Sequence, residues 1–282
     1  MGPGLSSREF TLIQKFIEEQ CGITIGEEKA YLIESRLSKL LIDSGLSSFE
    51  ELYKKIYFNR DLKVTEKVID AITTNETLWF RDKMPWVILE DVLLPKFIEE
   101  LREKREKKIR IWSSACSTGQ EPYSIAMCID RYLSKNSIRD VSLLDFEIVA
   151  TDISQTVLQV ARMGKYDSIS IMRGLESTYK EKYFKNEGRV WNIDPKIVNA
   201  VRFQQFNLQN SFLIMDKFHI IFCRYVIIYF SEKLKAEVLN KIAGTLKPQG
   251  VLFIGSSELI TDYKDKFELR QYQNGVYYTV KG

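Results

Sequence analysis

Apolar positions recur at three- and four-residue spacing through the first hundred residues, the period of amphipathic helices. "SSREFTLIQKFIEEQ" opens with Ser6 and Glu9 at capping-box spacing and sets Ile13, Phe16 and Ile17 on one face. "EKAYLIESRLSKLLIDSG" repeats the pattern and stops at Gly45, a candidate C-terminal cap. "SSFEELYKKIYF" offers a second capping box, Ser47 with Glu50, and "DLKVTEKVIDAI" follows. "PWVILEDVLLPKFIEELREKREKK" then runs into a charged end. The pattern predicts an all-helical N-terminal domain over residues 1–84 and a connecting helix over 85–108.

After Lys108 the period changes. "IRIWSSA", "DFEIVATDI", "FHIIFCRYVIIYF" and "GVLFIGSSE" read as short buried strands, with amphipathic helical runs such as "SEKLKAEVLNKIAGTLK" between them. Buried strands alternating with helices predict an α/β domain over 109–282, built on a doubly wound, mostly parallel sheet. "KFELRQY" and "GVYYTVK" flank Gln273, Asn274 and Gly275, and the Asn-Gly pair predicts an antiparallel closing hairpin. The stretch 164–203 exceeds what a crossover needs. It is expected to be a small β-containing insertion, with "GRVWNID" and "IVNAVRF" as its strands. No internal repeat or low-complexity tract is visible.

Composition narrows the class. The 282 residues are 45% hydrophobic and 28% charged with a net charge of +3, too weakly basic to announce nucleic-acid binding. Cys21, Cys116, Cys128 and Cys223 are scattered without a C-x-x-C pair, so neither a zinc site nor a disulfide framework is indicated. "MGPGLSSREF" lacks a basic start followed by an apolar core, and no apolar run is long enough to span a bilayer. A soluble cytoplasmic protein is expected.

Ligands of doubly wound sheets sit outside the carboxyl ends of the strands. In "IRIWSSACSTGQEPYSIAM" the first of these loops has a single glycine, Gly119, where a pyrophosphate cradle would have several, and it carries Glu121. An acid there repels phosphate and suits an ammonium or sulfonium. The second strand ends at Asp152 in "ATDIS", which either accepts two ribose hydroxyls or caps the next helix. The third places Arg224 and Tyr225 inside the apolar run "FCRYVIIYF". Adenosyl recognition without phosphate, around a positive centre, points to S-adenosylmethionine.

"TTNETLWFRD", "IWSSACSTGQEPYSIAM", "ATDIS", "FNL", "FCRYVIIYF" and "GVLFIGSSE", in this order, resemble the CheR-type chemotaxis receptor glutamate methyltransferases over nearly the whole chain. The resemblance implies a Rossmann-like class I methyltransferase fold with a β insertion behind an all-α domain. It implies S-adenosylmethionine as methyl donor, S-adenosylhomocysteine as product, no metal, and γ-glutamyl methyl esters on methyl-accepting receptors. By position, Asn75, Thr77 and Arg81 would lie over the donor and the reaction centre. Glu121 would face the methionine end and Asp152 the ribose, with Gly119 letting the backbone approach. Asn207 and Leu208 would flank the adenine, Arg224 and Tyr225 would contact the donor, and Tyr229 would approach the methyl group. Three positions depart from the family pattern: Gln120 in S-T-G-E-E-P, Tyr225 in C-R-N-V and Ser256 in G-H-S-E. A phenol cannot reproduce a carboxamide's paired donor and acceptor, which leaves the Tyr225 backbone as its expected donor contact.

The single histidine, His219, lies in the apolar "KFHIIF" and is expected to be a packed strand residue. Arg81 is the candidate for orienting the acceptor carboxylate, against a plain surface pair with Asp82 or Glu76. Lys29, Arg36 and Lys39 share a helix face, either a solvated stripe or, as the resemblance implies, a surface that meets the receptor's glutamate-rich helical bundle. "REKREKK" reads as a solvated helix end. The protein is expected to work as a monomer, without nucleic acid and without membrane insertion. Two alternatives stay open: a methyltransferase with another substrate, and a non-catalytic donor-binding regulator.

Overall fold

The computed structural model describes residues 4–281; Met1–Pro3 of the opening MGPG and Gly282 lie outside the described residues. The helical domain holds α1 (Ser7–Cys21), α2 (Ala30–Asp43), α3 (Phe49–Tyr53) and α4 (Leu62–Ile72). Phe10, Ile13 and Ile17 of α1, Ile33 and Leu37 of α2 and Val64 and Val68 of α4 fill one apolar core. Ser6 and Glu9 form the expected capping box. The second cap is displaced by one residue, because the Glu50 N–H that Ser47 would need donates to Glu9 at 2.9 Å. Ser48 instead accepts from the Glu51 N–H at 3.2 Å.

The connecting segment is α5 (Lys83–Ile88), a wide turn over Leu89–Leu93, and α6 (Leu94–Arg102). Pro95 has no N–H to give the carbonyl four residues back, and the helix widens just before it. Trp86, Leu89, Leu93 and Phe97 belong to the same core as the sheet, so this segment packs on the α/β domain.

The α/β domain runs β1 (Ile109–Ser113), α7 (Gln120–Lys135), β2 (Phe146–Asp152), α8 (Gln155–Met163), β3 (Lys165–Asp167), α9 (Ser168–Met172) and α10 (Ser177–Tyr183). It continues β4 (Phe184–Glu187), β5 (Val190–Ile193), α11 (Pro195–Val198), β6 (Val201–Gln205), β7 (Phe218–Phe222), α12 (Glu232–Thr245), β8 (Leu246–Phe253), β9 (Phe267–Tyr272) and β10 (Gly275–Val280). The main sheet has seven strands in the order β6-β2-β1-β7-β8-β10-β9. Its first five are parallel, and β10 runs antiparallel to both of its neighbours. Ile109 and Ile111 of β1 face one core and Trp112 the other. Burial on both faces is why the central strands read as unbroken apolar runs. The strand order reverses at β1, between β2 and β7, and opens a crevice at their carboxyl ends.

Two sequence expectations shift. The insertion is a separate three-stranded sheet, β3-β5-β4, but "IVNAVRF" is not one of its strands. Its first part forms α11, and Val201–Phe203 begin the edge strand β6 of the main sheet, paired with Ile148–Ala150. The closing hairpin is present, but its turn residues are Gln273 and Asn274, since Gly275 pairs with Tyr272. Gln273 takes the left-handed conformation at φ +52°. Gly275 is needed for another reason: a Cβ there would lie 2.7 Å from the Met84 side chain. Among the described residues no helix is long and apolar enough to cross a membrane.

Candidate functional site

A cleft opens at the carboxyl ends of β1, β2 and β7. Its roof is the interdomain segment Thr73–Leu78, and Cys21 and Ile23 of the helical domain supply part of one wall. That wall is pinned by the Thr24 N–H, which donates to the Tyr229 carbonyl at 2.9 Å, and by a bridge between Ile23 and Phe230. The roof is tied down as well. Arg36 donates to the Ile72 carbonyl and to the Thr74 hydroxyl, and Ser117 donates to the Asn75 carbonyl at 2.9 Å. Arg36 is therefore not a free member of a basic stripe, while Lys29 and Lys39 are exposed.

Asp152, at the end of β2, is buried but reaches the cleft. Its carboxylate accepts the Ser117 N–H at 2.8 Å and the Ser154 N–H at 3.0 Å. Burial pushes its pKa up, against the backbone donors of Ser154, Ser117 and Ile153. It does not cap the next helix: Ser154 does, accepting from the Val157 N–H at 3.2 Å.

Glu121, at the start of α7, stands at the cleft's other acidic point. One of its oxygens accepts from the Ser113 hydroxyl at 2.8 Å, the other from Arg224 at 2.8 Å. The Arg224 side chain is only 1% exposed and also donates to Asp82 at 2.7 Å and to the Arg81 carbonyl at 2.6 Å. Burial works against its charge, but Glu121 and Asp82 together hold its pKa above the ordinary value. Asp82 is drawn the opposite way: burial alone would raise its pKa, and the hydrogen bonds from Tyr225 and Arg224 keep it below the usual carboxylate range. Arg224 is thus a brace joining Glu121 on the floor of the cleft to Arg81 and Asp82, just after the segment that roofs it. Asp82 was not legible as its partner, because 142 residues separate them.

The Arg81 guanidinium lies 3.5 Å from the centre of the Tyr225 ring and donates to the Glu76 carbonyl at 3.2 Å. Neither Asp82 nor Glu76 forms an ion pair with it among the described residues; Glu76 pairs with Arg173 at 2.7 Å instead. Asn75, Thr77, Leu208 and Tyr229 line the cleft. Asn207 lines it too, while its amide donates to the Gln20 carbonyl at 2.8 Å and so ties the loop after β6 to α1. Ser114, Ala115, Ile153, Phe206 and Val226 complete the walls. They neighbour residues singled out in the sequence, whereas Cys21 and Ile23 had no local signal.

Gly119 does not line the cleft. It sits at φ +97°, where an added Cβ would come within 3.0 Å of the Ala161 side chain and 3.1 Å of the Tyr166 hydroxyl. Its freedom serves the turn into α7 and the close packing of α8 and β3 behind it. Gln120 is buried and accepts from the Thr118 hydroxyl at 2.8 Å. His219 lies at the far end of the sheet, its Nδ1 accepting the Arg110 N–H at 2.9 Å and its Nε2 3.3 Å from Glu106. Burial, with Lys247 beside it, lowers its pKa.

The cleft suits an adenosyl ligand with a cationic centre. It has one carboxylate at the end of β2 and another at the start of α7, with apolar side chains among its lining; of its two arginines, Arg224 is paired with Glu121 and Asp82, which leaves Arg81. Two family descriptions match the chain: "CheR methyltransferase, all-alpha domain" over residues 8–73 and "CheR methyltransferase, SAM binding domain" over 75–276. The chain is 42% identical to a chemotaxis protein methyltransferase of Pseudomonas putida, covering 97% of this chain and 98% of that protein. It is 41% identical to one of Pseudomonas aeruginosa over 98% and 99%, and 42% identical to one of Vibrio cholerae over 98% of each. With both domains matched and the cleft built between them, the chain belongs to the CheR methyltransferase family and is an S-adenosylmethionine-dependent methyltransferase.

Proposed function

We propose that this enzyme methylates glutamate side chains of chemotaxis receptors, giving γ-glutamyl methyl esters. The observation that carries the proposal is a guanidinium, Arg81, free of any carboxylate partner among the described residues and held in the lining of a cleft whose acids suit a sulfonium donor. When bound, S-adenosylmethionine supplies an electrophilic methyl group. Asp152 would hold its ribose hydroxyls, Glu121 its ammonium end, and Phe206, Asn207 and Leu208 its adenine; Thr77 and Asn75 would cover it from the roof.

The protein residues then have a limited task. A glutamate carboxyl with a pKa near ~4.3 is already ionised at neutral pH, so no general base is required. Arg81 would orient the carboxylate through its planar fork, and Tyr229 would pack beside the methyl position. The half-buried cleft keeps water from the anion, which favours a reaction in which opposite charges disappear.

The test is methyl transfer from labelled S-adenosylmethionine to receptor-containing membranes, read as base-labile label, with calorimetry of donor binding alongside. Donor binding with base-labile incorporation supports the proposal. Binding without ester formation would favour a regulator, and base-stable label would point to another acceptor.

A further inference from the structure

We infer that Tyr225 is a positioning residue that holds the Arg81 guanidinium over the acceptor site, and that Ser256 belongs to the same device. The inference rests on the proposed role of Arg81. It is carried by four independent features of Tyr225.

The first is its backbone, at φ +58°. Asparagine enters that left-handed region readily, whereas a bulky aromatic residue there is strained. The strain is held by Glu258, whose carboxylate accepts the N–H groups of Tyr225 at 2.7 Å and Gly255 at 2.6 Å. Strain of this kind persists only where the surroundings over-determine the backbone, as the Glu258 carboxylate does here. The second is the space made for the ring. A Cβ on Gly255 would lie 2.8 Å from Glu258 Oε2 and 2.9 Å from Tyr225 Cδ1, so glycine leaves both the carboxylate and the ring their places.

The third is the hydroxyl. It lies 2.6 Å from Asp82 Oδ2 and 2.9 Å from Ser256 Oγ, so it donates to the carboxylate and can accept from the serine. Two of the three departures from the family pattern thus touch each other, and serine's short side chain leaves the phenol room. The fourth is the ring face, which carries the Arg81 guanidinium at 3.5 Å. A phenol that donates to a carboxylate gains electron density, which strengthens the attraction of its face for a cation. The stack fixes the plane of the guanidinium while leaving its edge for a carboxylate.

The test is a kinetic split across Tyr225→Phe, Tyr225→Asn and Arg81→Ala, each in the full chain. Tyr225→Asn relieves the backbone strain and removes the platform. Its melting temperature should stay level or rise, while kcat/KM for the receptor falls about 3- to 30-fold, the range expected for loss of a partly desolvated cation–π stack. Its affinity for S-adenosylhomocysteine should change less than about threefold. Tyr225→Phe keeps the face and should recover most of the loss. In the Arg81→Ala background, Tyr225→Asn should have no further effect on acceptor kinetics. Additive losses there, or loss of donor affinity in step with acceptor kinetics, would overturn the inference while leaving Arg81 in its role. An Arg81→Ala variant with unchanged turnover would instead overturn the underlying proposal about Arg81.

Discussion

Replacing Arg224 by methionine should unfasten the floor of the cleft from Arg81 and Asp82. The wild-type side chain is 1% exposed and serves Glu121, Asp82 and the Arg81 carbonyl at once. Methionine keeps much of the apolar volume but removes every donor. It leaves two carboxylates, with side-chain exposures of 13% and 26%, facing a half-closed cleft without a counter-charge. Hydrogen bonds to charged groups are worth about 1.5–3 kcal/mol each. Water entering the cleft recovers part of that, and breaking a buried pair by removing one partner costs about 3–5 kcal/mol. At about 2–4 °C per kcal/mol, the ligand-free melting temperature should fall by roughly 6–20 °C. Affinity for S-adenosylhomocysteine should fall by about tenfold or more, because Glu121 loses the group that aims it. Lysine should rescue poorly, since one ammonium cannot span two acids and a carbonyl in that geometry. Thermal melts and calorimetry on Arg224→Met, Glu121→Gln and the double variant provide the check. With a real brace, the methionine substitution is less harmful once Glu121 is neutral. A fall in melting temperature under about 2 °C, or strictly additive effects, would refute the reasoning.

Arg81→Ala should cut methyl transfer by about 100-fold or more while holding S-adenosylhomocysteine affinity within a few fold, as kinetics paired with calorimetry would show. The pH dependence should be flat from about pH 6 to 8, because the acceptor carboxyl is ionised throughout and His219, the single histidine, stands at the far end of the sheet and outside the cleft lining. A rate inflection near pH 6.5 that vanishes in His219→Gln would contradict this. The lowered pKa of His219 has a stability sign: the fold binds fewer protons there than the unfolded chain, so this contribution is full above about pH 6.5 and is lost on acidification through the folded value. Gly119→Ala combines a strained φ with contacts near 3 Å, and should cost about 2–4 kcal/mol. Melting curves should show that loss, with donor affinity in the folded fraction little changed.

Local pattern carried the fold a long way. Helices announced themselves through caps and apolar faces, and the central strands through apolar runs that only two-sided burial produces. The acids Glu121 and Asp152 were legible because strand ends are where such sheets bind ligands. What failed depended on partners distant in the chain. Ser47 loses its role because Glu9 takes the Glu50 N–H. The end of "IVNAVRF", Val201–Phe203, joins the main sheet because β2 has an open edge beside it. Gly119 packs on Ala161 and Tyr166 outside the cleft lining. Arg36 looked like one member of a basic stripe, yet it fastens the roof of the cleft. The device at Tyr225 was visible only as a departure, since nothing in "FCRYVIIYF" says that its ring will meet Arg81.

The central claim is that the acceptor is a receptor glutamate. Mass spectrometry of peptides from a purified receptor signalling domain, incubated with the enzyme and S-adenosylmethionine, tests it most directly. The expected result is a single methyl increment on defined glutamate side chains, absent without donor and removed by mild base. Methylation confined to lysine, arginine or a chain terminus, or none despite measured donor binding, would contradict it.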